Sequence, residues 1–196
     1  MTHIKKGVFM KSHIKIQTMM FTAILIAVGT VIPMFMPKVE IGPMSFTLAS
    51  HVATMIAIFI SPMVALIVAL GTTLGFLLAG FPFIVVLRAL SHIIFAYLGA
   101  CYIKKHPDTF QSVSKSIIFN IAIACLHAIG EMVIVIPFYY GQGDLQAFLY
   151  MIFGLVGIGT LVHSSVDFVI SLIVWKALVQ NSSVQKIAYV KSVLES

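Results

Sequence analysis

Residues 83–103 read FIVVLRALSHIIFAYLGACYI, a run of twenty-one that carries one charge, Arg88, and one histidine, His92, four residues on. As a helix rising ~1.5 Å per residue, such a run covers the ~30 Å hydrocarbon core of a bilayer. Its apolar residues are continuous rather than alternating. A bilayer admits only helices and closed barrels as spanning forms, because every backbone polar group must be satisfied internally, and a continuous run favours the helix. The surrounding chain has the same character: of 196 residues, 60% are hydrophobic and 9% charged, against ~25% charged in a soluble domain. The stretch therefore sets the fold class, an all-α membrane protein.

Working outward, the other apolar runs are Gln17 to Met36, Phe46 to Ile60, Met63 to Ala79 and Ser116 to Phe138. Leu145 to Trp175 is too long for one ordinary span. Its glycines at 154, 157 and 159 predict a division into a short interfacial helix, Leu145 to Phe153, and a span from Leu155 to Trp175. Between the first two runs lies MPKVEIGPMS, with Pro37, Gly42 and Pro43 as breakers. Pro62 is placed to open a helix, and KKHPD stops the run that began at Phe83. The first run is read as a retained span rather than a signal peptide, because its basic head is long and no A-x-A-like site follows.

The sum is a bundle of six transmembrane helices with both termini on one side. With the N-terminus cytoplasmic, that face collects Lys5, Lys6, Lys11, Lys15, Lys104, Lys105, Lys115, Lys176, Lys186 and Lys191, and the other face has only Lys38. This is the positive-inside pattern of a multi-pass plasma-membrane protein. The expected layout is a basic cytoplasmic segment over 1–16, a six-helix transmembrane domain over 17–176 and a cytoplasmic tail over 177–196. The formal charge of +6 belongs to that pattern and points to lipid, not nucleic acid. Cys101 and Cys125 fall inside apolar runs, far from any metal-ligand spacing, and read as small core residues.

Ionisable groups inside spans are costly, about 2.5–3.5 kcal/mol each on insertion scales, and usually face a partner or a wet cavity. Three pairs stand at i,i+4, hence on one helix face each: Arg88/His92, His127/Glu131 and His163/Asp167. Counted from the outer ends of their helices, Arg88, Glu131 and His163 lie about 8, 10 and 12 Å deep. Similar depth on three helices predicts one polar cluster in the outer half of the bundle, which His51 is placed to join. A guanidinium with forked donors suits a carboxylate, so Arg88 is expected to bind an anionic group arriving from outside. The bland reading is a buried Arg88–Glu131 pair that merely ties helices together. A metal centre is the sharper alternative, since His92, His127, His163, Glu131 and Asp167 are all ligand types. Arg88 argues against it by repelling a dication, so no metal is expected. HEXXH, GXSXG and phosphate-cradling loops are absent, so the chain is not expected to be an enzyme, to hold a cofactor or to hydrolyse ATP.

Small residues four apart recur at Ala23/Ala27, Ala65/Ala69, Gly71/Gly75 and Ala96/Ala100, and such ridges allow close helix approach. With Ala23 and Ala27 on its first span, six expected spans and a basic head, the chain resembles the S-components of energy-coupling factor (ECF) vitamin transporters over nearly its whole length. From GPMSFTLASH to GFPFIVVLRALSH it is most similar to the niacin-type members. The resemblance implies a substrate-binding subunit without chemistry of its own. Such a subunit captures a small carboxylate-bearing vitamin near the outer face and docks through Ala23 and Ala27 on a transmembrane coupling subunit, itself seated on two ATPases that use ATP. It also implies release by tipping of the subunit in the membrane. Arg88, His92, His127, Glu131, His163, Asp167 and His51 would form the site. The loops that would close it carry Lys38 and Glu40 in one and Tyr139 and Tyr140 in the other, with Phe81 and Phe83 beside the ligand ring. The rival reading is a stand-alone proton- or cation-coupled carrier of a small organic anion or metal ion, with Glu131 or Asp167 as the proton site.

Overall fold

A computed structural model gives the architecture; it describes residues 2–41 and 44–193. Helix α1 runs over Thr2–Phe35, so the basic head and the first span form one continuous helix. A two-stranded antiparallel hairpin follows, β1 (Lys38–Ile41) against β2 (Met44–Thr47), with Val39 opposite Phe46 and Glu40 opposite Ser45. Gly42 and Pro43, two of the expected breakers, lie outside the described residues. Then come α2 (Val52–Ile60), α3 (Pro62–Leu78), α4 (Phe83–Lys105) and α5 (Val113–Tyr139). The last long helix is α6 (Leu145–Leu149), a π-helical stretch Tyr150–Ile158 and α7 (Gly159–Leu178), with a short α8 (Ser182–Ile187) after it.

Among the described residues, four helices are long and apolar enough to cross a membrane: His13–Phe35, Phe83–Lys105, Val113–Tyr139 and Leu145–Leu178. Helix α3 is apolar but shorter, at 17 residues. The expected second span is different in kind. Phe46 and Thr47 belong to β2, and only nine residues, Val52–Ile60, are helical, about 14 Å of rise. All nine are buried, as befits a helix that is hydrophobic all round. It packs against α1, α3, α4 and α7, so the shortest of the apolar runs forms the centre of the bundle rather than a wall against lipid.

The division expected within Leu145 to Trp175 is also absent. The glycines do not break the helix; the π stretch absorbs Gly154 and Gly157, and Gly159 opens α7. Gly157 serves instead as a close approach, since a Cβ there would stand 2.9 Å from Met132 Sδ on α5. Pro62 opens α3 as expected, with Ser61 Oγ accepting from Val64 N.

At one end of the bundle, the segment expected as a cytoplasmic tail includes the short helix α8 and folds back on the core. The N–H groups of Tyr189 and Val190 donate to the carbonyls of Phe59 and Ile60, which satisfies acceptors that the end of α2 leaves open. Val184, Ala188, Val190 and Val193 are buried there. Phe59, Phe110, Phe168 and Trp175 pack into an aromatic floor, Phe59 with ring centroids 4.9 Å from Phe110 and 5.6 Å from Trp175. On the adjacent α4–α5 loop, the hydrogen bond from Lys115 Nζ, 2.8 Å long, holds the Asp108 carboxyl below its usual range. Both groups are exposed, and such a pair contributes little to stability.

The small-residue ridges sort by burial. Ala65, Ala69, Ala96 and Ala100 are wholly buried, and Gly71 and Gly75 meet Ile26 and Thr30 of α1. These are internal packing. Ala23 and Ala27 are exposed.

Gly29 lets α1 approach α2 and α3, since a Cβ there would meet Thr72 Cγ2 at 2.7 Å and Ala53 Cβ at 3.1 Å. Gly29→Val is expected to destabilise the bundle by about 1–3 kcal/mol, seen as a lower thermal midpoint in the emission of the single, buried Trp175. Val28→Ala, on the exposed side of the same helix, should stay within about 0.5 kcal/mol.

Candidate functional site

The site lies between the hairpin and the middle of the bundle. Spacing of four turns His127 and Glu131 to one face of α5 and Arg88 and His92 to one face of α4, and the contact between these helices closes the two faces on each other. Arg88 Nη2 donates to Glu131 Oε2 at 2.8 Å. Thr160 Oγ1, the first turn of α7, donates to the same oxygen at 2.6 Å. Glu131 Oε1 faces the histidines, 3.4 Å from His127 Nε2 and 3.7 Å from His92 Nε2.

A second carboxylate organises the entrance to α2. Asp167 Oδ1 accepts from Ala49 N at 2.8 Å, and Oδ2 accepts from His51 N at 2.9 Å. His51 Nδ1 lies 3.0 Å from Oδ2 and must be the donor, because an ionised carboxylate only accepts. Ala49 has φ +64, the left-handed region that costs a non-glycine residue about 1–2 kcal/mol, and the bond to Asp167 holds it there. His163, one turn before Asp167, is 3.1 Å from Ser50 Oγ and packs against Phe46 of β2, the rings tilted with centroids 4.9 Å apart.

All seven residues expected at the site are therefore in one connected cluster. The imidazoles of His51, His92 and His127 stand mutually edge to face, with centroids 4.5 to 4.8 Å apart. Glu131 and Asp167 are 2% and 0% exposed, and Arg88 is 5% exposed. Counted with neutral imidazoles, the cluster holds one positive and two negative charges. It is less cationic than Arg88 alone predicts.

Above the cluster is a cavity of about 130 Å³. Arg88, His51, His92 and Glu131 line it, together with Ser50, Thr54 and Thr72 from the bundle and Phe76 and Phe81 from either end of the α3–α4 turn. Phe76 and Phe81 stack at 4.7 Å. The hairpin closes the mouth with Lys38, Glu40, Ser45 and Thr47, and Lys38 pairs with Glu40 at 2.9 Å. His127, His163 and Asp167 form a layer that does not line the cavity.

Three expected contacts are not made. Tyr139 packs with Val135, Ile152 and Val156, Tyr140 is 78% exposed beside Phe148, and Phe83 is exposed; none lines the cavity. Conversely, Thr160, Ser50 and Phe46 were not foreseen. Thr160 was readable, since it stands three and seven residues before His163 and Asp167 on one helix face. Phe46, whose ring lies 5.5 Å from the Arg88 guanidinium carbon, looked like part of a span.

No family model and no solved structure matches the chain. Among curated proteins, the niacin transporter NiaX of Lactococcus lactis subsp. cremoris (strain MG1363) is 41% identical over 179 residues, 88% of this chain and 76% of that protein.

Removing the Asp167 carboxylate strips acceptors from two backbone N–H groups and a buried histidine. Asp167→Ala is expected to cost about 3–5 kcal/mol, read as a fall in the thermal unfolding midpoint.

Proposed function

The chain belongs to the family of the niacin transporter NiaX, the niacin-type S-components, and on that premise we propose that it captures nicotinate from the extracellular side for ATP-driven uptake. It is a multi-pass protein of the cell membrane with a vitamin-transport role. The observation that carries the finer reading is the cavity that ends on Arg88 beneath the hairpin. Its volume of about 130 Å³ is close to the ~150 Å³ that accommodates a benzene ring in an apolar protein cavity. A single aromatic ring with one carboxylate fits that scale, and a larger vitamin does not without expansion.

Arg88 gives one hydrogen bond to Glu131, and its Nε has no partner among the described residues. Five donors in a fork leave enough for a ligand carboxylate. The stacked Phe76 and Phe81 offer an apolar wall for the ring, and the hydroxyls of Ser50 and Thr54 offer hydrogen bonds to its nitrogen. The hairpin is the closing element, through Lys38 and Glu40. Tyr139 and Tyr140 lie away from the cavity wall.

In this reading α2, with β2 above it, is the second of six crossings. A helix buried on every side has no need to match the bilayer thickness. Both termini are cytoplasmic, in line with the lysine bias. The exposed Ala23 and Ala27, flanked by exposed Met19, Met20, Ile24 and Val31, form the docking face for a coupling subunit seated on two ATPases. The rival, a stand-alone proton-coupled carrier, would use Glu131 or Asp167; Asp167 already accepts three hydrogen bonds.

Calorimetry on the purified chain tests the capture. Nicotinate should bind and nicotinamide, which lacks the charge, should bind at least ~30-fold more weakly, the equivalent of about 2 kcal/mol for a buried charge pair left incomplete. Arg88→Lys, which keeps the charge but loses the fork, should weaken nicotinate binding too. Equal affinity for acid and amide would remove the carboxylate clamp. For coupling, Ala23→Trp and Ala27→Trp should abolish cellular uptake while nicotinate binding is retained; uptake that persists in both variants, or in the purified chain without ATPases, would support the carrier instead.

A further inference from the structure

Glu131 divides its two oxygens between different tasks. Oε2 is saturated by Arg88 and Thr160. Among the described residues, Oε1 has the two imidazole nitrogens near it, at 3.4 and 3.7 Å, longer than the 2.9–3.0 Å of an ordinary N–H···O bond. His92 Nε2 and His127 Nε2 are both buried without a hydrogen-bond partner among the described residues. In a bilayer-embedded core, two such orphans on facing helices call for an explanation. His51 completes the group: its Nδ1 is engaged by Asp167, which leaves Nε2 as the nitrogen it can offer.

From this geometry we propose a transition-metal site, of the zinc or cobalt class, held by His51, His92, His127 and Glu131 directly beneath the cavity. Three imidazoles and one carboxylate are a tetrahedral donor set for such ions. With metal–ligand bonds of 2.0–2.2 Å, the edge between two donors is about 3.3 Å, close to the Glu131–His127 and Glu131–His92 separations. The four donor atoms lie within 4.8 Å of one another, and the excess of about 1.5 Å at the widest edge is shared between two side chains by rotation about their soft χ2 torsions.

The outer shell has the form such sites need. Asp167 fixes the tautomer of His51, and Arg88 with Thr160 orients Glu131. Arg88 is the group that spoke against a metal in the sequence. Its Nη2 bonds Oε2, the oxygen that does not face the imidazoles, so it acts as a support for the ligand. His51, His92 and Glu131 also line the cavity, which gives an ion an entry path. A dication would turn the cluster's balance of one positive and two negative charges to a net positive one, suited to an anion above it. The proposal goes beyond vitamin capture and stands whether or not nicotinate is the ligand.

The test uses the full chain in detergent or nanodiscs, stripped with a chelator. Titration with zinc chloride should give one saturable equivalent, and cobalt(II) chloride should produce the intense visible bands of a tetrahedral centre. His92→Gln and His127→Gln should each weaken zinc by ~100-fold or more, and Asp167→Asn by roughly 10–100-fold as an outer-shell change. His106→Gln, on the loop after α4, should change nothing. X-ray absorption of the zinc-loaded native chain should show at least two imidazoles, a readout independent of how the variants fold. Absence of saturable binding by a chain that unfolds cooperatively, fewer than two imidazoles, or equal binding by the His92 and His127 variants would overturn the site. Nicotinate calorimetry on both the stripped and the zinc-loaded chain separates the two readings, since capture without zinc binding sinks this proposal alone, and saturable zinc binding with no capture in either form sinks the other.

Discussion

Everything in the upper half of the molecule hangs on Asp167. A carboxylate in the middle of a membrane bundle must have its lone pairs filled, because neither water nor lipid will fill them. Here the filling comes from main-chain N–H groups of Ala49 and His51 and from the His51 ring. The demand for donors is therefore met by unwinding the chain ahead of α2, with Ala49 pressed into the left-handed region. That in turn fixes where α2 begins, how the hairpin sits above it and how His51 enters the cluster. A polar group that looks like a ligand candidate in the sequence is, in the fold, the anchor of the irregular segment that builds the pocket.

Glu131 has a comparable role one layer closer to the cavity. Its carboxylate joins α4, α5 and α7 through Arg88, the two histidines and Thr160. Buried ion pairs contribute little net stability once desolvation is counted. Their value lies in fixing geometry, and here what is fixed is the position of a guanidinium at the bottom of a small cavity. The cavity and the architecture share the same atoms.

Much of this was legible in the chain. The four long spans follow from apolar runs that end at Lys or at Pro and Gly. The polar cluster follows from charge at i,i+4 on helices of known direction, and the exposed pair Ala23/Ala27 was distinguishable in motif, though its exposure was not. What could not be read was the segment from Phe46 to Ile60. A short continuous apolar run has no period that separates a buried helix from a strand, and the donors that Asp167 requires are main-chain groups, which leave no trace in a sequence. The π stretch was hidden for a related reason: Gly154 and Gly157 look like breaks when neighbouring helices are not in view. Tyr139 and Tyr140 carry no spacing signal of their own, and the packing of Tyr139 on Val135, Ile152 and Val156 reflects contacts that sequence position alone does not encode.

The return of the C-terminal segment onto Phe59 and Ile60 has a mechanical corollary. The helix beneath the pocket is stoppered at its far end by main chain and paved with aromatic rings, so loosening it there would cost hydrogen bonds and ring packing together.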